Sequence, residues 1–243
     1  MIIGGFDVET IKDQSLPFDP ESVSLGNLKD PVKIAYKIAE AEVEFNAGEG
    51  QLSKAMATDP ARCQVITFVG TLFDTSGVNP ADTTNSFQWG INDNAWDNPE
   101  EYVVHHGWKF VIDCYNNRIP LVSFNGIGFD LPVMHFAAMR LDVSVPNVMY
   151  RALMNRWEGN LHHFDLMLML TNWQKERMKG SNLDFFLRRF GIGQKTEGMD
   201  GSKVGPAFLA GKYQEILEYC KEDVLNTCKL FTRVAPWVVP AKE

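Results

Sequence analysis

The sequence predicts a three-layer α/β domain with a mixed sheet, extending as a single domain over residues 1–243. Two observations predict it. Short runs rich in β-formers come first and then alternate with helical patterns. No internal repeat, low-complexity tract or linker divides the 243 residues, a length that buries a sizeable core.

Residues 2–6 are a short apolar, glycine-containing run, the pattern of a buried strand that ends at Asp7. Residues 10–31 gather Pro17, Pro20, Gly26 and Pro31 among polar side chains and predict a long loop. From 31 to 45, Ile34, Ile38, Ala41 and Phe45 recur at helical spacing with Glu40, Glu42 and Glu44 around them, so residues 10–60 read as an insertion after the first strand. Residues 65–73 predict a strand that stops at Asp74-Thr75-Ser76-Gly77, and residues 85–89 supply its neighbour, making the first three strands an antiparallel meander. Residues 100–117 are helical in character. Residues 120–124 form another short buried strand, followed by the turn Asn125-Gly126-Ile127-Gly128 and a helix over 130–141. Residues 162–166 predict a further strand, and Ser181 is expected to cap a helix through 183–187, with Asp184 three residues on. Residues 214–234 close the chain as an amphipathic helix.

With 45% hydrophobic and 22% charged residues the composition is that of a globular protein, and no apolar run reaches the ~18 residues of a bilayer span. The expectation is a cytoplasmic protein without membrane attachment or signal peptide, its four cysteines reduced, because no C-x-x-C pair or zinc spacing appears. The histidines have no i, i+4 ligand spacing and read as structural or surface residues. A formal charge of −8 argues against coating duplex nucleic acid, which rests on Lys and Arg neutralising phosphates. The charge is uneven: residues 1–60 carry 5 Lys/Arg against 11 Asp/Glu, whereas residues 151–203 carry 9 against 6. A polyanion would therefore be drawn to the second half, to Arg151, Arg156, Lys175, Arg177, Lys179, Arg188 and Arg189.

Three acidic clusters stand where chemistry can use them. Asp7-x-Glu9 closes the first strand, where the period of two puts both carboxylates on one face. Two acids so close repel, and a cation is the natural way to keep both ionised. Asp130 follows the 120–124 strand at a strand-to-helix junction, a position that also suits a simple helix cap. Tyr219 and Asp223 lie at i and i+4 on one face of the last helix, beside the apolar stripe Ile216, Cys220, Val224 and Phe231. Each cluster alone is common. Together and in this order they supply the convergent carboxylates that two divalent ions need for an in-line phosphoryl displacement.

The order Asp7-x-Glu9, then Asn125-x-x-x-Phe129-Asp130, then Tyr219-x-x-x-Asp223 resembles the three motifs of DEDD-superfamily exonucleases. The tyrosine branch, DEDDy, has Tyr four residues before the last Asp; the histidine branch places His one residue earlier, where this chain has Glu218. The text around Val122 to Pro132, the strand Phe164-Asp165-Leu166 and residues 198–204 is similar to predicted exonucleases related to the proofreading domain of family-B DNA polymerases.

That resemblance implies a ribonuclease H-like fold with about five strands and a metal-dependent 3′-5′ exonuclease acting on single-stranded DNA by a two-metal mechanism, releasing nucleoside 5′-monophosphates. It implies Asp7, Glu9, Asp130 and Asp223 as ligands of two Mg²⁺ or Mn²⁺ ions, with Tyr219 positioning the attacking water and helping to deprotonate it. It also implies Asn125 and Phe129 as contacts at the substrate terminus, Asn125 to the last nucleotide and Phe129 packed under Asp130. Trp157, Trp173 and Phe136 are candidates for stacking on bases. The expected partner is the 3′ end of a single strand, DNA before RNA. No polymerase or accessory domain fits in the remaining residues, so a stand-alone enzyme or the nuclease subunit of a polymerase or repair complex is expected. A ribonuclease D-like activity on RNA and a catalytically silent binding module on the same fold are the rival readings.

Overall fold

The computed structural model describes residues 1–76, 84–92, 96–155, 161–172, 180–195 and 198–239. Its five-stranded sheet runs in the order β3-β2-β1-β4-β5, with β1 (Ile2–Lys12), β2 (Cys63–Asp74), β3 (Thr84–Gly90), β4 (Leu121–Ser123) and β5 (His163–Asp165). β1, β2 and β3 pair antiparallel, while β4 and β5 continue parallel to β1, which makes the sheet mixed. Helices cover both faces: α1 (Pro31–Asn46), α2 (Gly50–Ala57), α3 (Pro99–Asn116), α4 (Asp130–Arg140), α5 (Asn147–Leu153), α6 (Leu166–Leu170), α7 (Leu183–Arg189), α8 (Val204–Leu209) and α9 (Tyr213–Val238). The fold is ribonuclease H-like.

Alternation along β1 sorts its side chains between two cores. Phe6 and Val8 enter the layer packed by α3, α4 and α5, around buried Trp108, Leu131 and Leu153. Ile3 and Ile11 turn the other way, toward Val224 and Phe231 of α9 and toward Val204 of α8. Gly5 lets α9 come close: a Cβ there would collide with Cys228 Sγ. All four cysteines are buried thiols.

Several boundaries differ from expectation. The first strand does not stop at Asp7 but runs to Lys12 against β2, so Asp7 and Glu9 lie mid-strand and the loop starts later than residue 10. Polar residues hid this continuation, because Thr10 and Lys12 belong to the strand yet break the apolar run. The helix after residue 181 is capped by Asn182, whose side chain accepts from Phe185 N, rather than by Ser181. Leu166 opens α6 instead of ending β5, and α2, α5 and α8 are short helices without a long apolar period.

Candidate active site

Asp7 and Glu9 occupy the odd positions of β1 and face α9, from which Tyr219, Cys220 and Asp223 face back. The ligand atoms of Asp7, Glu9 and Cys220 lie within 4.8 Å of one another. Cys220 is fully buried, and burial together with the neighbouring acids pushes its pKa well above the ordinary range. It is therefore a thiol that donates toward Asp7, at 3.5 Å to the carbonyl oxygen and 3.6 Å to Oδ2.

Asp130 arrives from the side. β4 pairs with β1 only at Gly4 and Gly5, so beyond them the outer edge of β1 has no strand neighbour among the described residues. Asp130, 2% exposed at the first position of α4, uses that gap: its Oδ1 accepts from Val8 N at 3.2 Å. Its carboxylate also accepts from its own backbone N–H at the start of the helix. The preceding loop is fixed by Asp165 at the end of β5, which accepts from Asn125 N and Ile127 N, both at 3.0 Å, and from Leu168 N at 3.2 Å. Asn125 takes a left-handed φ of 74°, which Asn tolerates better than most residues. Beneath the loop, burial keeps His163 neutral. Its Nδ1 donates to Leu153 O at 3.1 Å, so Nε2 accepts from Ser123 Oγ at 2.7 Å, and that oxygen in turn accepts from Gly126 N at 3.1 Å.

A cation completes the cluster. Lys195 Nζ donates to Asp223 Oδ2 at 2.5 Å and to the Tyr219 hydroxyl at 3.0 Å, with the ammonium 4.6 Å from the tyrosine ring centre. Asp184 positions this lysine by accepting from Lys195 N at 3.0 Å. One ammonium does not neutralise four acids. Burial and then Asp130, Glu9 and Asp223 raise the pKa of Asp7 well above the carboxylate range. Burial and Asp223 do the same to Glu9, burial pushes Asp130 up to about 7, and burial raises Asp223 in spite of Lys195. The Tyr219 phenol is driven upward by burial and by Glu9, Asp223 and Asp7, so it stays protonated. Asp223 Oδ1 is enclosed with no hydrogen-bond partner among the described residues. Hard oxygen donors, mutual repulsion and an orphaned carboxylate oxygen all fit a divalent cation such as Mg²⁺ or Mn²⁺.

Acids of the cluster line two cavities. Asn125 lines one of about 510 Å³ together with Asp7, Asp223, Lys195 and the 180–183 segment. Phe129 lines the other, of about 250 Å³, together with Glu9. The two expected substrate contacts thus line different cavities. Phe136 sits half-buried on α4 and lines neither cavity; Trp157 and Trp173 lie outside the described residues, as do Arg156, Lys175, Arg177 and Lys179. Arg188 is paired with Asp184 at 2.8 Å, and Arg151 and Arg189 are exposed. Sequence reasoning passed over Lys195, which has no periodicity or motif to flag it. It also gave no role to Asp165, although a carboxylate closing a buried strand was visible.

Residues 77–237 match the family model of predicted 3′-5′ exonucleases related to the exonuclease domain of PolB. The chain belongs to that family. No curated protein matches it. Within the exonuclease family's match lie Asn125, Asp130, Lys195, Tyr219 and Asp223, while Asp7 and Glu9 precede it and join the cluster through β1. No helix among the described residues is long and apolar enough to cross a membrane.

Proposed function

We propose that this member of the exonuclease family removes nucleoside 5′-monophosphates one at a time from the 3′ end of single-stranded DNA, with Asp7, Glu9, Asp130 and Asp223 holding two Mg²⁺ or Mn²⁺ ions. The observation that carries the reading is the convergence of four carboxylates from β1, α4 and α9 in one place, each raised in pKa by burial and by its neighbours. When bound, divalent cations supply the acidification of water and the stabilisation of the leaving oxygen that phosphodiester hydrolysis requires.

The chain's own groups do the rest. The water oxygen attacks the terminal phosphorus, the bond from phosphorus to the 3′ oxygen of the penultimate nucleotide breaks, and that oxygen takes up a proton. Tyr219 accepts from Lys195 and gives its single O–H to Asp223, and its raised pKa keeps the phenol protonated, so its role is to orient the water beside Asp223 rather than to deprotonate it. Lys195 pins Tyr219 and Asp223 in one geometry and adds positive charge beside the phosphate. Asn125 lines the larger cavity with Asp7 and is placed to contact the strand there; Phe129 packs beside the Asp130 backbone.

Digestion of a 5′-labelled single strand tests the reading. A ladder shortening from the 3′ end with Mg²⁺ or Mn²⁺ and none in excess EDTA is expected. Undiminished cleavage in EDTA sinks the proposal, and a matched RNA strand degraded faster than DNA reassigns the substrate to RNA.

A further inference from the structure

We infer that the cavity of about 1130 Å³ between α8 and α9 is a second nucleotide site, which takes a free nucleoside 5′-monophosphate; the choice of ligand rests on the exonuclease reading above. Residues 192–194 and 198–199, α8 and one side of α9 line it, with Asn226 and Lys229 on the α9 wall. None of Asp7, Glu9, Asp130 and Asp223 lines it, so a phosphate held here is bound without being cleaved.

The lining holds a buried amide in need of a partner. Asn226 is 8% exposed, and its Nδ2 is enclosed with no hydrogen-bond partner among the described residues, a state that buried polar groups seldom keep. The torsion that carries an amide is broad and roughly two-fold, so a modest turn of Asn226 presents Nδ2 to a ligand without strain. A carboxamide offers a donor edge and an acceptor edge, the complement of the N6 and N7 edge of adenine.

The charge on the lining favours an anion. In a chain of net charge −8, this surface carries four lysines against three glutamates. Lys203, Lys212 and Lys221 are paired with Asp200, Glu215 and Glu218 at 3.4, 3.1 and 3.8 Å. Lys229 is half-buried one turn of α9 beyond Asn226 and meets no carboxylate among the described residues. An unpaired ammonium beside an unpartnered amide is what a phosphate and its base would satisfy together, and Met199, Pro206 and Leu225 give that base an apolar floor.

The frame of the cavity is held by backbone contacts. Lys212 N donates to Ala207 O at 2.9 Å and closes the corner between α8 and α9, and Lys203 Nζ donates to Gly198 O at 2.5 Å. Drug-sized ligands occupy roughly 300–1,000 Å³, so a whole nucleotide fits. Tyr219 joins this site to the acids: its side chain lines the cavity, while its hydroxyl meets Lys195 and Asp223. A nucleotide in the cavity rests against the residue that orients the water, and the released product thereby slows the next cut.

Deoxyadenosine 5′-monophosphate is titrated into the full chain by calorimetry in EDTA, where the acids without a divalent cation repel a phosphate and do not compete for it. Saturable binding is expected, about tenfold weaker in Asn226→Leu and in Lys229→Glu, the scale of one lost polar contact. Asn226→Leu should melt no lower than the parent, because it removes a donor that had no partner. Lys229→Glu decides alone where Asn226→Leu does not fold. With Mn²⁺, saturating nucleotide should lower kcat on a 3′-hydroxyl strand in the parent and leave it unchanged in Lys229→Glu. No saturable binding by the parent in EDTA, parent-like affinity in Lys229→Glu, or a parental kcat that the nucleotide does not move overturns the inference. A 3′-blocked single strand that binds in EDTA and is not displaced by the nucleotide also overturns it, making the cavity part of a strand path. A parent that binds the nucleotide in EDTA yet degrades no strand with either metal loses the exonuclease reading and keeps the nucleotide site.

Discussion

Asp165 and Asp130 are both buried carboxylates at helix starts, 1% and 2% exposed, yet the fold treats them differently. Asp165 accepts three backbone N–H groups and sits beside a Ser123–His163 pair whose donors and acceptors match. Asp130 accepts from its own backbone N–H and from Val8 N, and it also bonds to Asp7, a contact that two carboxyls reach only by sharing a proton. A buried acid that backbone donors fully occupy holds a loop in place. One that meets other acids instead stores an electrostatic cost, which a bound cation can relieve.

The sharpest way to break the comparison is to remove one acid from each set. Asp7→Asn should take single-turnover degradation of a labelled single strand below detection while leaving the fold intact, because Asp7 meets Glu9, Asp130 and Asp223 together. Asp7→Asn with parental activity would falsify the assignment of the cluster. Tyr219→Phe keeps the ring against Lys195 and deletes only the hydroxyl. A fall of roughly 10²–10⁴-fold in the chemical step is expected, the usual contribution of a positioned orienting or proton-transfer group. Mn²⁺ affinity should hardly move. A rate within about threefold of the parent, far short of that contribution, removes Tyr219 from the site.

Asp165→Asn should fail in another way. The amide presents an NH₂ where a carboxylate oxygen met a backbone N–H, leaving a buried donor unsatisfied at about 1–3 kcal/mol. Denaturant melts should show that loss with the same slope as the parent, and activity should drop only as far as the Asn125–Ile127 loop loosens. Equal stability of Asp165→Asn and parent would mean that water already serves this loop.

The sequence made much of this legible, for reasons that differ by region. Asp7 with Glu9 and Tyr219 with Asp223 could be paired because two stand on alternate strand positions and two one helical turn apart, whereas Asp130 was joined to them by the order of the motifs and the resemblance it carries. The mixed sheet could be read because its strands are short apolar runs. What could not be read depends on contacts distant in sequence. Lys195 reaches Asp223 across 28 positions, and Asp165 reaches Asn125 across 40. The run of β1 past Asp7 stayed hidden because its second half is polar, held by β2 and by Thr10 bonding to Ala57 rather than by an apolar pattern.

The comparison also predicts how stability depends on pH, a smaller effect than the others. Asp130 titrates at about 7 in the metal-free fold against an ordinary value of 3.8, and Asp7, Glu9 and Asp223 are raised in the same direction. Between these values the folded chain binds more protons than the unfolded one, so the contribution of these acids is fully present below about pH 4 and lost as pH rises through about 7. His163 works the other way: its pKa is lowered by burial, so its contribution grows as pH rises toward the ordinary histidine value of 6.5. Subtracting the melting curve of Asp7→Asn from that of the parent isolates the acids, because both proteins keep His163. The parent should lose several degrees relative to the variant between pH 5 and 8. Mn²⁺ should reverse the trend in the parent alone, since the cation replaces the shared protons and binds better as pH rises. At about a hundredfold excess over Kd, binding is worth about 2.7 kcal/mol, a rise on the order of 5–10 °C for a chain of this length. A difference curve flat from pH 5 to 8 would show that the four carboxylates do not repel one another in the folded protein, and would erase the contrast with Asp165.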